Sequence, residues 1–150
     1  MNYLIDVNVW VALALAGHVH HTAAREWFER PQGDRSNGAR LFFCRVTQKG
    51  FLRLLTNGRI MGENTLSAAG AWRYYDTLCE DDRVRFAVEP PRLEPLWRES
   101  TLLGHVDGPN IWTDAYLSAF AVAAGFTIVT FDRGFRHHRG TAVRILSART

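Results

Sequence analysis

The sequence predicts an α/β fold in which a mostly parallel β-sheet is covered by helices on both faces. Short apolar runs typical of buried strands alternate along the chain with longer stretches of helical periodicity. Gly, Pro, Asn and Asp are concentrated in the segments between these elements. No repeat and no low-complexity tract interrupts the alternation. Such alternation is typical of parallel strands connected by helices, which form a three-layer sandwich.

The first half of the chain predicts two strands and four helices. The second helix opens at Thr22 and carries Trp27 and Phe28 on its apolar face, and Thr65 is the expected N-cap of the fourth. The intervening stretch TNGRIMGEN is predicted to be a loop. The strands are YLI (3–5) and LFFCRV (41–46), and the helices cover 9–16, 22–30, 47–56 and 65–79.

The second half predicts three strands and two helices. The last helix has Thr113 as its expected N-cap and stops at Gly125, because glycine readily adopts the left-handed conformation that ends a helix. The strand FTIVT follows directly. The strands are 84–89, 126–130 and 142–146, and the other helix covers 93–103.

Length and composition predict one domain over residues 1–150 with a real hydrophobic core. The chain is 47% apolar, 22% charged and 12% aromatic, which excludes disordered and fibrous classes. No apolar run approaches the roughly 20 residues that span a bilayer. The first apolar run contains Asp6 and lacks a preceding basic segment, so it does not resemble a secretory signal. We therefore expect a cytoplasmic protein whose two cysteines, Cys44 and Cys79, are reduced packing residues.

The charge balance weakly favours an anionic partner. The formal net charge is +3 and the pI is about 9.2. All basic residues except Lys49 are arginines, a residue type suited to bidentate phosphate contacts. A genome-wide compositional bias explains the same excess, so the charge by itself assigns no partner.

Three aspartates are predicted to meet at the carboxyl edge of the sheet. Asp6 ends the first strand, Asp132 follows FTIVT, and Asp114 lies in the first turn of the last helix. Asp114 alone is explained by the helix dipole, and Asp132 alone by a turn. Asp6 interrupts an apolar run, where an unpaired carboxylate is costly. Ligands of such sheets bind beyond the carboxyl ends of the strands, so we interpret the three residues together.

Converging carboxylates repel one another unless a cation neutralises them. A small set of hard oxygen ligands suits Mg²⁺, with Mn²⁺ as a substitute, and these ions keep several waters and often bind phosphate oxygens. Such a site lowers the pKa of a bound water and stabilises charge on a reacting phosphate. The sequence therefore predicts metal-assisted hydrolysis of phosphodiesters.

Three segments together resemble the PIN domain, and more closely the VapC toxins of prokaryotic VapB–VapC toxin–antitoxin pairs. They are YLIDVNVWVALA (3–14), RVTQKGFLRLLTN (45–57) and IWTDAYLSAFAVAAGFTIVTFDRGF (111–135). The resemblance covers essentially the whole chain. It implies a PIN-like α/β/α sandwich and a Mg²⁺-dependent endoribonuclease, commonly dimeric, that a cognate VapB-type antitoxin inhibits.

The resemblance also implies roles for individual residues. Asp6 and Asp114 match the two principal metal ligands, and Asp132 matches the last acidic residue, which binds the metal directly or through water. Gln48 stands at the position where the family usually carries a glutamate, so the site has one negative charge fewer. As secondary candidates, Asn8 contacts Asp6 or substrate, or instead caps the following helix. Thr130 orients Asp132 through its hydroxyl, or is an ordinary strand residue.

Two further groups of residues are candidates for contact with a partner. The loop DRGFRHHRG places Arg133, Arg136 and Arg139 beside Asp132, where they contact RNA phosphates or are simply solvated. His18, His20, His21 and His105 lack the spacing of a structural zinc site and predict a polar loop near the cleft. Asp107 joins the acidic cluster or is a turn residue.

The aromatic residues on 22–30 and 65–79 are expected in the core, with surface left over for dimerisation and for the antitoxin.

Other classes fit the sequence less well. An aspartyl-phosphate phosphatase of haloacid dehalogenase type needs a second aspartate two residues after the first, where this chain has Asn8. A receiver domain needs a lysine near the acidic pocket, and Lys49 follows the wrong strand. A catalytically degenerate PIN domain that binds RNA or antitoxin without cleavage is the remaining alternative, and Gln48 is the residue that favours it.

Overall fold

The computed structural model describes residues 1–30, 38–103, 108–138 and 140–147. Its centre is a five-stranded sheet in the order β3-β2-β1-β4-β5, in which every neighbouring pair is parallel. This confirms the predicted fold class. The strands are β1 (Asn2–Ile5), β2 (Arg40–Phe43), β3 (Val84–Phe86), β4 (Thr127–Thr130) and β5 (Val143–Ile145).

The strand order places a topological switch point at the centre of the sheet. The chain moves outward from β1 through β2 to β3, then returns to the other side of β1 to form β4 and β5. Connections leaving β1 and β4 therefore diverge, which leaves a crevice between their carboxyl ends. Tyr3 pairs with Thr127 and Ile5 with Val129, so these two strands end at nearly the same level.

Helices cover both faces of the sheet. Alternate residues of β1 point in opposite directions, as the pleat requires: Tyr3 and Ile5 belong to one buried cluster, Leu4 to the other. The first cluster packs against α1, α2, α3 and α5, and the second against α6 and α7. The helices are α1 (Val7–Ala14), α2 (His21–Glu29), α3 (Arg45–Leu55), α4 (Gly58–Met61), α5 (Ala68–Cys79), α6 (Leu93–Leu103) and α7 (Ile111–Ala124), with short 3-10 turns η1 (Gly62–Asn64) and η2 (Arg133–His137).

The predicted starts of three helices are wrong. Helix α5 starts at Ala68 because the Ser67 hydroxyl accepts the backbone N–H of Gly70 at 3.1 Å, so Thr65 is not the N-cap. Helix α7 starts at Ile111, which places Thr113 inside the helix. Residues 44–46 leave β2 and begin α3, because Thr47 Oγ1 accepts the backbone N–H of Cys44 at 2.9 Å.

Other predicted features have mixed outcomes. The predicted loop 56–64 instead contains α4 and η1, and α2 begins at His21 rather than Thr22. Helix α6 has the predicted bounds, and Gly125 ends α7 in the left-handed conformation (φ 70°). Both cysteines are free; Cys44 is buried as predicted, whereas Cys79 is exposed.

The aromatic residues expected in the core divide between core and surface. Trp27 is buried and its ring meets that of Tyr3 edge to face, whereas Trp72 and Tyr74 are 47% and 42% exposed. In the part of the chain that the structure describes, no helix is long and apolar enough to cross a membrane.

Candidate functional site at the sheet switch point

Asp6 leaves the end of β1 and enters the crevice at the switch point. Its backbone N–H donates to the carbonyl of Val129 at 2.9 Å, which extends the β1–β4 pairing by one residue. Its Oδ1 accepts the backbone N–H of Val7 at 2.7 Å, so the carboxylate also caps α1. Burial raises the pKa of Asp6, the hydrogen bonds from Thr130 and Val7 lower it, and the charge of Asp132 raises it further.

Thr130 links the ends of the two central strands. Its fully buried hydroxyl donates to Asp6 Oδ2 at 2.7 Å and accepts the Nδ2 of Asn8 at 3.1 Å. It also accepts the backbone N–H of Asp132 at 3.0 Å. Asn8 Oδ1 in turn accepts the backbone N–H of Phe131 at 3.3 Å. The hydroxyl therefore fixes the side chain of Asp6 and the backbone, rather than the side chain, of Asp132.

Asp132 stands on the solvent side of the crevice. Its Oδ1 accepts the backbone N–H of Gly134 at 2.7 Å, which caps the 3-10 turn η2. A Cβ at Gly134 would lie only 3.0 Å from that oxygen, so the absence of a side chain lets the turn close over the carboxylate. Asp132 is thus a turn residue, and it also lies at the crevice.

Asp114 approaches the same crevice from the first turn of α7. Burial raises its pKa to about 6, and the charges of Asp6 and Asp132 contribute to that increase. The three carboxylates are therefore close enough to interact electrostatically, although Asp6 and Asp132 are 126 residues apart in the sequence.

The carboxylates do not form a closed three-ligand cage. Among the residues that the structure describes, no group of three or more His, Cys, Asp or Glu side chains is arranged so that it could hold a metal ion. The donor chemistry still fits a hard cation, because each carboxylate offers about four lone-pair sites and the hydrogen bonds to Asp6 use only two. A cation that keeps several waters needs only part of its shell from protein oxygens. The donor atoms are thus of the type that Mg²⁺ and Mn²⁺ prefer, and binding of either ion stays a prediction.

Gln48 lies on α3 and is turned toward other partners. Its Oε1 accepts the Nη1 of Arg45 at 2.5 Å, and the hydroxyl of Tyr75 lies beside its amide. The residue is 7% exposed and lines a groove of about 410 Å³ between α3 and α5. None of its described contacts reaches the three aspartates, so its catalytic role stays a prediction from the resemblance.

Basic and histidine residues lie near the end of β4. Arg133 and Arg136 are exposed on η2 next to Asp132, as expected, while Arg139, His105 and Asp107 lie outside the described residues. His20 stacks on Phe131 with ring centroids 4.3 Å apart. That contact was missed, because nothing in the sequence links the α1–α2 connection to the end of β4.

Comparison with known proteins agrees with this architecture. The family model described as "PIN domain" matches residues 3–140. The chain is 40% identical to Ribonuclease VapC41 of Mycobacterium tuberculosis over 148 residues, covering 96% of this chain and 98% of that protein. The chain belongs to the VapC group of PIN-domain proteins.

Other similar proteins match most of the chain in sequence or in fold. Ribonuclease VapC38 of M. tuberculosis is 33% identical, with 87% of this chain and 85% of that protein covered. The structure of VapBC2 from Rickettsia felis, bound to a promoter DNA fragment, superposes with a TM-score of 0.71 at 12% identity, covering 98% and 100% of the two chains. M. tuberculosis VapC20, described as a Sarcin-Ricin loop cleaving toxin, superposes with a TM-score of 0.61 at 20% identity, covering 89% and 92%.

Proposed function

We propose that this VapC-type protein is a divalent-cation-dependent endoribonuclease and the toxin of a toxin–antitoxin pair. The observation that carries the proposal is the convergence of Asp6, Asp114 and Asp132 at the switch point, where burial and then the charges of Asp6 and Asp132 raise the pKa of Asp114 to about 6. Carboxylates that repel one another in this way favour a bound cation. The ribonuclease names of the relatives support RNA as the substrate.

Asp6, Asp114 and Asp132 are the residues that would hold Mg²⁺ or Mn²⁺. When bound, the cation would lower the pKa of a water and stabilise the charge that develops on the phosphate. The chain's own contribution is positional. Thr130 fixes one oxygen of Asp6 and the backbone of α1 fixes the other, so the carboxylate cannot rotate without breaking two hydrogen bonds. Orientation of ligands by such outer contacts typically affects metal affinity or activity by about 10–100-fold.

The remaining predictions concern partners. Arg133 and Arg136 stand next to Asp132 and would hold RNA phosphates at the crevice, together with Arg139. A VapB-type antitoxin is the proposed inhibitor, and a homodimer in the cytoplasm is the proposed assembly. The VapBC complexes among the similar structures support the antitoxin as partner type.

The test is cleavage of a panel of transfer and ribosomal RNAs by antitoxin-free protein with Mg²⁺, with Mn²⁺ and with chelator. We expect discrete cuts that require the cation and that decrease at least about a hundredfold in Asp6→Asn. Asp82→Asn is the matched control, because Asp82 is exposed on the chain before β3 and makes no ion pair within the described residues. Cleavage that persists in chelator, or in Asp6→Asn at the level of Asp82→Asn, would overturn the proposal.

A catalytically degenerate PIN domain remains the second candidate, because Gln48 replaces the expected glutamate and turns to Arg45. The same assay separates the two. A protein that binds RNA without cutting any member of the panel under any cation would be the degenerate form.

A further inference from the structure

Arg45 occupies a prominent place at the carboxyl edge of the sheet. It is the first residue of α3, two positions after the end of β2. Leu4 pairs with Phe42, so Asp6 and Cys44 leave neighbouring strands at the same level, and strands in a sheet lie about 4.8 Å apart. On the other side, Phe43 pairs with Phe86, the last residue of β3. Arg45 thus stands between the acidic site and the end of β3.

The guanidinium of Arg45 is held in place from two directions. Its Cζ lies 4.5 Å from the centroid of the Phe86 ring, which is the geometry of a cation–π contact. Its Nη1 donates to Gln48 Oε1. Arg45 itself is exposed, and Phe86 is 36% exposed, so both remain accessible from solvent.

No carboxylate neutralises this arginine in the described part of the chain. The ion pairs found there involve Arg25, Arg30, Arg83 and Arg98. A guanidinium has five N–H donors, and Gln48 takes one of them. Arg45 is therefore an ordered cation with a full charge and free donors at the carboxyl edge of the sheet. The neutral amide of Gln48 orders the arginine and leaves its charge in place. A glutamate at position 48 would neutralise that charge.

We propose that Arg45 binds a phosphate of the RNA substrate and that Gln48 and Phe86 are positioning residues for it. The inference rests on the proposed ribonuclease function. Acidic metal sites repel a polyanion, so the strand needs cations on both sides of the crevice, and Arg133 and Arg136 lie on the β4 side only. Arg45 supplies the β2 side. The exposed ring of Phe86 next to it offers a face on which an unpaired base can stack, which favours single-stranded RNA.

The test measures binding without cleavage, using a short fluorescent single-stranded RNA of mixed sequence in chelator over a series of salt concentrations. We expect Arg45→Ala to weaken binding about tenfold and to lower the salt slope by about 1, as loss of one phosphate contact does. Arg45→Lys should fall between wild type and alanine, because lysine keeps the charge but not the planar donor set. Arg59→Ala is the matched control, since Arg59 is exposed, unpaired within the described residues and just beyond the far end of α3.

Gln48→Glu separates positioning from metal binding. If Gln48 positions Arg45, the new carboxylate pairs with the guanidinium, and RNA affinity and salt slope fall toward the Arg45→Ala values. If position 48 is instead a metal ligand, Gln48→Glu leaves RNA binding in chelator unchanged and raises cleavage with Mg²⁺, which would overturn the positioning role. Phe86→Leu should also weaken binding, because it removes one of the two supports of Arg45 and the ring on which a base would stack.

Two results would overturn the role of Arg45. One is equal loss of affinity and equal salt slope for Arg45→Ala and Arg59→Ala, which would mean that only net charge matters. The other is absence of RNA binding by the wild-type protein in chelator. Both are independent of the cleavage assay, because a protein that cuts nothing can still bind through Arg45, and a protein that cuts RNA can do so without it.

Discussion

At the scale of single residues, Thr130 does more for the site than its type suggests. One hydroxyl orients Asp6, receives Asn8 and anchors the backbone of Asp132, so three segments of the crevice meet at one oxygen. Threonine is common in strands, and the sequence therefore left its role open. The deciding fact is its position at the last residue of β4, level with the carboxylate that ends β1.

Thr130→Val removes the hydroxyl at nearly constant volume. We expect ribonuclease activity to fall about 10–100-fold, because Asp6 loses the hydrogen bond that holds one of its oxygens. The free energy of unfolding should fall by about 1–3 kcal/mol, because the buried partners of the hydroxyl are left unsatisfied. Initial rates of RNA cleavage and urea unfolding measure the two effects.

Thr127→Val is the matched control for this variant. Thr127 begins the same strand, and its side chain has no hydrogen-bond partner among the described contacts. It should keep wild-type activity. Equal rates for Thr130→Val and the wild type would show that Asp6 needs no support from β4.

At the scale of elements, the crevice depends on how closely α1 and α3 pack. Gly50 of α3 faces Val7 of α1, and a Cβ at Gly50 would lie 2.8 Å from Val7 Cγ2. Val7 directly follows Asp6 and donates its backbone N–H to it. A β-branched side chain in a helix has one strongly preferred rotamer, so Val7 cannot easily turn aside. The glycine thus sets the distance between α3 and the start of α1.

Gly50→Ala and Gly70→Ala should shift stability in opposite directions. Alanine favours a helix by about 1 kcal/mol over glycine, but overpacking costs about 1–3 kcal/mol, so Gly50→Ala should lower the free energy of unfolding by about 1 kcal/mol. At Gly70 the nearest atom to a new Cβ is Ser67 Oγ at 3.4 Å, which is an ordinary contact distance. Gly70→Ala should therefore raise the free energy of unfolding by about 0.5–1 kcal/mol. Urea unfolding measures both.

Restoring space at position 7 tests the cause. In a Val7→Ala background the penalty of Gly50→Ala should disappear, because the alanine methyl no longer meets Cγ2. A penalty that persists in the double variant would mean that the Gly50–Val7 contact does not limit the packing of these helices.

Periodicity predicted the elements better than their ends. The apolar pattern was sufficient to predict five strands and the long helices. Strands bury alternate residues and helices bury residues three or four apart, so each leaves a recognisable pattern in the sequence. The ends depend on individual hydrogen bonds, such as Ser67 to Gly70, that compete with equally suitable residues a few positions away. Strand 84–89 was predicted too long, because among the described residues β3 pairs with β2 alone and this pairing ends at Phe86 and Phe43.

At the scale of the whole molecule, the strand order is the basis for predicting that the aspartates lie near one another. Residues that end parallel strands share one edge of the sheet, and the switch point brings the ends of β1 and β4 together. The same rule could not find Arg45, because an arginine at the start of a helix is ordinary. The proposed role of Arg45 is inferred from its contacts with Phe86 of β3 and with Gln48, and these contacts are visible only in the folded structure.

The coupled carboxylates also link the stability of the whole molecule to pH and to cations. The pKa of Asp114 is about 6 in the folded state, above its ordinary value of 3.8. Between these values the folded protein binds more protons than the unfolded chain, so this residue makes stability fall as pH rises from about 4 to 7. A divalent cation neutralises the same charges and competes with the proton.

We therefore expect Mg²⁺ or Mn²⁺ to raise the thermal unfolding midpoint of the metal-free protein at pH 7.5 and to raise it less at pH 5. At a hundred times the dissociation constant, the stabilisation would be about 2.7 kcal/mol. Asp114→Asn should be more stable than the wild type at pH 7.5 without cation, and its response to cation should be smaller. Asp82→Asn should follow the wild type in both respects. A midpoint that cations raise equally in Asp114→Asn and the wild type would place cation binding away from the three aspartates, because an amide carries no charge for the ion to neutralise.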